Sequence, residues 1–157
     1  MTHPTEVKPR EGEQEGTLAP AFEIGAALPE LRFTIDPGIV REYVEAIDGD
    51  PAVYEIDGRP AAPPNVLAVY LLAILYRRFP PAQGIILAKQ RWEFRHPIWA
   101  DEDTEIIGAG EVLNVEDRRG KSFVRWRATF TRSDGTPLAA AENEFYVPSP
   151  EEADPNG

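Results

Sequence analysis

The sequence predicts an α+β domain in which a long antiparallel sheet curls around one central helix. Three observations carry this reading. Residues 62–79, APPNVLAVYLLAILYRRF, are apolar nearly all round, with Val66, Leu67, Val69, Tyr70, Leu71, Leu72, Ile74 and Leu75 leaving almost no polar side. A helix of that composition is a buried one. Nearly everything after Gly84 reads as strand, and the strand-like stretches are separated by tight-turn signals at 117–120 and at Asp134-Gly135. Long strands joined by such turns make an antiparallel meander.

Composition bounds the class. A chain of 157 residues with 42% hydrophobic content is long enough for one domain with a real core. There is no cysteine, so neither disulfides nor thiolate chemistry enter, and the first residues show no apolar leader-like run. Both suit a cytoplasmic protein. A net charge of −11 argues against nucleic acid or an anionic membrane as the main partner. Residues 1–20 and 149–157 are polar and rich in Pro, Gly and Glu. They are expected to be disordered tails flanking one domain at 21–148.

Taken in order, Leu31, Phe33 and Ile35 alternate with Arg32 and Thr34, which gives a short strand. Asp36-Pro37 supplies the cap and first residue of a helix whose Val40, Tyr43, Val44 and Ile47 fall on one face. Asp48-Gly49-Asp50-Pro51 breaks it. Residues 53–60 then form an irregular connection with a turn at Asp57-Gly58. The buried helix follows, opened by Pro63-Pro64 with Asn65 as cap and closed by Arg77, Arg78 and Pro80-Pro81. At roughly 14 residues it is too short to span a bilayer, which takes about 20.

In the strand at 85–96, Gln90, Trp92, Phe94 and His96 share one face, and Lys89, Arg91, Glu93 and Arg95 the other. Gly108 and Gly110 inside the strand at 104–116 signal a bulge or sharp bend. Residues 122–132 alternate cleanly, and 138–147 form the last strand.

FTIDPGIVREYVEAIDGDPAVY (33–54), RPAAPPNVLAVYLL (59–72), ILAKQRWEFRHPIWADED (86–103) and AENEFYVP (141–148) follow one another in an order and spacing that resembles the MaoC-like acyl dehydratase family, notably its dehydratase N-terminal branch. The resemblance implies a hot-dog fold, a homodimer or a hetero-oligomer with another hot-dog subunit, and action on acyl thioesters of coenzyme A (CoA) or acyl carrier protein. No His, Asp and Cys cluster in the sequence has metal-ligand spacing, so neither a metal nor a cofactor is expected. The family's catalytic dyad is an Asp and a His in a context like G-D-x-N-P-L-H. The matching stretch here is Asp48-Gly49-Asp50-Pro51-Ala52-Val53-Tyr54-Glu55. One register pairs Asp50 with Glu55, another pairs Asp48 with Val53, and a third places Tyr54 at the His position.

No register supplies a histidine. The catalytic candidates are therefore Asp48, Asp50, Tyr54 and Glu55. Against them stands the plainer reading that Asp48 and Asp50 serve turn chemistry and Glu55 is a solvated loop acid. His96 reads as a packed or surface imidazole, Asp101-Glu102-Asp103 as a solvated loop, and the strand arginines as a solvent face. The first amides of a buried helix lack intrahelical partners and are suited to a thioester carbonyl. The prolines lack such amides, so Asn65, Val66 and Leu67 are the amide candidates, and Pro64 at the entry and Tyr70 as part of an apolar wall complete the substrate-binding candidates. A hydratase or dehydratase, a non-catalytic acyl-binding subunit, and a thioesterase using a carboxylate are the functions that follow.

Overall fold

The computed structural model describes residues 14–153. Its architecture is a five-stranded antiparallel sheet folded over one apolar helix. The strands are β1 (Ala27–Ile35), β4 (Ile86–Phe94), β5 (Thr104–Arg118), β6 (Lys121–Arg132) and β7 (Pro137–Val147). A separate two-stranded hairpin contains β2 (Glu55–Ile56) and β3 (Arg59–Pro60). The large sheet runs β1-β5-β6-β7-β4, so the meander forms its centre and the two earlier strands form its edges. Helix α1 (Pro37–Ala46) follows β1, the central helix α2 (Ala68–Tyr76) precedes β4, and a single turn α3 (Pro150–Ala153) follows β7.

Helix α1 starts where its sequence demands. Asp36 Oδ1 accepts from the Ile39 amide at 2.9 Å, and Pro37 needs no amide partner at the first position. The central helix begins differently from expectation. A 3₁₀ turn, Pro64–Leu67, leads into α2, its cap residue is Pro63, and Asn65 lies inside the turn rather than capping it. Two successive prolines fix an extended approach, and the turn tightens before the α-helix can form.

Tyr70, Leu71, Ala73, Ile74 and Leu75 of α2 are buried against a sheet face that includes Phe33, Ile106, Val112, Trp126 and Phe130. Strand β6 alternates as expected, with Val124, Trp126, Ala128 and Phe130 inward and Arg125, Arg127 and Thr129 outward.

Gly108 and Gly110 have another use than bending β5. A Cβ on Gly108 would lie 2.7 Å from Ile74 Cδ1, and one on Gly110 would lie 2.7 Å from the Arg127 carbonyl oxygen. The helix therefore seats itself on bare backbone. Opposite these glycines it is β1 that carries an extra residue, Leu28 pairing with Gly110 and Leu31 with Gly108, while β5 has its own extra residue between Val112 and Asn114 against β6.

Packing begins before residue 21, residues 150–153 are exposed, and residues 1–13 and 154–157 lie outside the described part. The Thr17 amide donates to the Pro80 carbonyl at 2.8 Å, the Ala19 amide donates to the Pro148 carbonyl at 3.2 Å, and Ala19 is buried. Phe22 stacks on Phe79 with centroids 4.5 Å apart. Polar composition masked these anchors, which rest on a few apolar residues and backbone bonds. Among the described residues, no helix is long and apolar enough to cross a membrane.

At the far end of β5, Arg118 donates to both Glu144 carboxylate oxygens, at 3.1 and 2.7 Å, and to Glu116 at 2.9 Å. The Glu144 side chain is only 10% exposed. The Arg118 guanidinium holds the Glu144 carboxyl below its ordinary value of 4.5. A lowered carboxyl stabilises the fold above its unfolded value, and that contribution disappears as pH falls through the lower folded value. Arg118→Gln is expected to melt below wild type at neutral pH, with the gap closing as the solution is acidified below the ordinary glutamate range. Thermal unfolding across pH measures this; a gap independent of pH contradicts it.

Candidate active site

The loop after α1 holds the candidates Asp48 and Asp50, and both positions have the backbone geometry that the turn reading expects. Asp48 adopts a left-handed conformation, φ 52°, and its amide donates to the Glu45 carbonyl at 3.0 Å. The Gly49 amide then donates to the Val44 carbonyl at 2.9 Å, which ends the helix. Asp50 Oδ1 accepts from the Ala52 amide at 3.0 Å and caps a 3₁₀ turn, Pro51–Val53. Both side chains are exposed.

Beyond that turn the chain does not stay irregular. It makes the β2–β3 hairpin through Asp57 and Gly58, whose φ angles are 52° and 80°. The hairpin is tied to the loop after β4. The Ala62 amide donates to the Ile98 carbonyl at 2.7 Å, and the Ala100 amide donates to the Pro60 carbonyl at 3.0 Å. Arg59 completes the tie: its Nε and Nη2 donate to Asp101 at 3.1 and 2.8 Å, and Nη2 also donates to Glu102 at 3.0 Å. The guanidinium lies over the Trp99 ring, 4.3 Å from its centroid. The Arg59 hydrogen bonds hold the Asp101 carboxyl below its ordinary value. Two of the three acids read as a solvated loop are thus the anchor of the hairpin.

Hairpin, helix start and sheet end enclose a cavity of about 360 Å³. Val53, Tyr54, Glu55 and Ile56 form one side, and Ala61, Ala62, Pro64 and Leu67 line the approach to α2. Phe94, Arg95, His96, Pro97 and Ile98 close it from the end of β4, with Leu138 from β7. The walls are mainly apolar. Glu55 is the only carboxylate among them, and Tyr54 and His96 add a phenol and an imidazole. Tyr54 and Ala61 also border a second cavity of about 330 Å³ under α1. Burial, and then the nearby Tyr54, push the Tyr43 phenol up.

Of the sequence-derived candidates, Tyr54, Glu55, Pro64 and Leu67 come together at this cavity. Asp48, Asp50, Asn65, Val66 and Tyr70 do not line it. Val66 is wholly buried and its amide is already used, donating to the Pro63 carbonyl at 3.0 Å. Tyr70 is wholly buried too, stacked on Phe33 with centroids 4.0 Å apart. Of the helix and the 3₁₀ turn before it, only the turn, through Pro64 and Leu67, reaches the cavity.

His96, read from the sequence as a packed or surface imidazole, was not among the site candidates. It is exposed, lines the cavity, and has Nδ1 2.7 Å from the Pro137 carbonyl oxygen. The signal was present: alternation carries the Trp92 and Phe94 face on to His96, where Pro97 turns the chain across the helix start.

Solved structures similar to this chain include MaoC-like dehydratases and an R-hydratase. A MaoC-like dehydratase from Rhodospirillum rubrum superposes with a TM-score of 0.68 at 17% identity, covering 84% of this chain and 97% of that one. The R-hydratase PhaJ1 from Pseudomonas aeruginosa gives 0.65 at 16%, covering 85% and 87%. The C-terminally truncated HadBC (3R-hydroxyacyl-ACP dehydratase) complex from Mycobacterium tuberculosis gives 0.65 at 18%, covering 78% and 96%.

The chain has the hot-dog fold.

No family model matches the sequence, and no curated protein matches it. Within the hot-dog frame, α2 is the enclosed helix and the cavity sits at its start, where the hairpin and the end of β4 converge. The hot-dog sheet also leaves one edge bare. Ile86, Leu87 and Phe94 of β4 are 58%, 50% and 42% exposed, although β4 pairs with β7 along its other side.

Proposed function

We propose that this chain is a MaoC-like hot-dog protein that binds an acyl thioester, carried by CoA or by acyl carrier protein, and adds water to its enoyl form or removes it from the hydroxyacyl form. The observation that carries this is the cavity at the start of α2, apolar enough for an acyl chain and furnished with Tyr54, Glu55 and His96. Water addition moves protons and forms one C–O bond, so it calls for acid–base groups and no redox cofactor. The structural likeness to dehydratases and an R-hydratase supports the same reading. A cytoplasmic location is part of the same proposal.

A second reading is favoured by two observations. Asp48 and Asp50, which fall at the dyad's Asp position, are occupied with helix termination and capping outside the cavity. The β4 edge presents apolar side chains to solvent, and such an edge calls for a cover. Both fit an acyl-binding subunit paired with a catalytic hot-dog subunit, or with a second copy of this chain. A similar solved structure, HadBC, is named as a complex.

Calorimetric titration with a saturated acyl-CoA, beside hydration of crotonyl-CoA followed by ultraviolet absorbance, tests these readings. Saturable binding with turnover is the expected result. Binding without turnover leaves the subunit reading, and release of free thiol from the saturated ester indicates a thioesterase. Absence of binding to either carrier's thioester overturns both readings. Sedimentation of the same sample shows whether the edge is covered by a second copy.

A further inference from the structure

We infer that His96 is the proton carrier of this cavity, the group that takes a proton from water and hands it to the acyl chain. This rests on the acyl-thioester reading and adds the residue that performs its chemistry. The first ground is the ring's hydrogen bond. His96 Nδ1 lies 2.7 Å from the Pro137 carbonyl oxygen, and a carbonyl only accepts, so Nδ1 keeps its hydrogen. The neutral ring then has its lone pair on Nε2.

The second ground is how the ring is held. The His96 amide donates to the Leu138 carbonyl at 3.4 Å and the Arg95 amide donates to it at 2.9 Å. Arg132 Nη2 donates to the Pro97 carbonyl at 3.2 Å. Backbone of β7 therefore fixes both the residue and its tautomer.

The third ground is company. His96 lines the cavity together with Glu55 and with Leu67 of the helix start, whereas Asp48 and Asp50 do not. The other charged group at the cavity, Arg95, is paired with Glu93 at 2.8 Å. Among the described residues His96 is the only histidine.

The step balances with one imidazole. Neutral Nε2 takes a proton from water as the water oxygen bonds to the β-carbon. The electrons of the carbon–carbon double bond move to the α-carbon and its thioester carbonyl. The imidazolium then returns that proton to the α-carbon, leaving a hydroxyacyl thioester and a neutral ring. Glu55, the cavity's only carboxylate, offsets the transient positive charge.

Crotonyl-CoA hydration and calorimetric binding of hexanoyl-CoA by wild type and His96→Gln test this. The expected result is a fall in kcat of about 10²–10⁴-fold, with binding affinity and melting temperature close to wild type, since the side chain is exposed. Diethyl pyrocarbonate is expected to modify His96 of the wild type, and hexanoyl-CoA to slow that reaction. A variant that hydrates at the wild-type rate overturns the role of His96 while its binding leaves the thioester reading standing. A wild type that binds hexanoyl-CoA but does not hydrate crotonyl-CoA also overturns that role. Loss of binding in the wild type itself overturns the thioester reading.

Discussion

Tyr70→Ala is expected to unfold at a temperature on the order of 10 °C below wild type. Truncating a wholly buried aromatic removes its transfer free energy and leaves a void, together about 3–5 kcal/mol. For a chain of this length each kcal/mol moves the midpoint by about 2–4 °C. The Tyr70 ring lies flat on Phe33, and Phe33 meets Phe130 edge-on at 6.3 Å, so one deletion loosens α2, β1 and β6 together. Circular dichroism melting measures the effect. The companion variant Tyr70→Phe keeps the ring and is expected to bind acyl-CoA as wild type does, because residue 70 does not line the cavity. A Tyr70→Ala protein that melts normally but loses acyl binding would return Tyr70 to the site.

Arg59→Ala is expected to lower the rate of crotonyl-CoA hydration on the order of 10²-fold, the scale attached to a displacement of about 1 Å in a reacting group. Arg59 touches no part of the cavity. It acts by fastening the hairpin that bears Glu55 to Asp101, Glu102 and Trp99. Global melting is expected to change little, since the pairs are exposed. Cleavage by a protease at the Asp57-Gly58 tip is expected to quicken. Arg59→Lys keeps the charge but not the two-pronged geometry or the stacking, and is expected to resemble alanine more than wild type. Unchanged hydration in Arg59→Ala shows that the hairpin keeps its place without the clamp.

The helices and the meander were legible because their signals are local. Asp36-Pro37 announces α1, the apolar run announces the buried helix, and alternation in β6 separates Trp126 from Arg125 and Arg127. The roles of Gly108 and Gly110 were not, because what each must avoid, Ile74 and the Arg127 carbonyl, is distant in sequence. The site was half legible for the same reason. Tyr54, Glu55, Pro64 and Leu67 lie near one another along the chain and in space. His96 arrives from a strand beyond α2, and its hydrogen bond is to Pro137, 41 positions on. Asp48 and Asp50 drew attention through their place in a resembling pattern, yet a turn needs Asp there whatever the chemistry nearby. The backbone hydrogen bonds at both positions meet that turn demand.

The strand order carries a consequence for synthesis. Strands β1 and β4 are made early, but their only neighbours in the large sheet are β5 and β7. As the chain leaves the ribosome, both future edges and the apolar helix between them emerge before any strand they pair with exists. The first hairpin of the large sheet that can close is β5 with β6, and β4 stays without its sheet partner until β7, the last strand, is made. Contacts of such long sequence separation delay folding. Strand β4 therefore waits longest for its partner, and successful folding depends on keeping it, with the apolar helix beside it, from finding another chain first.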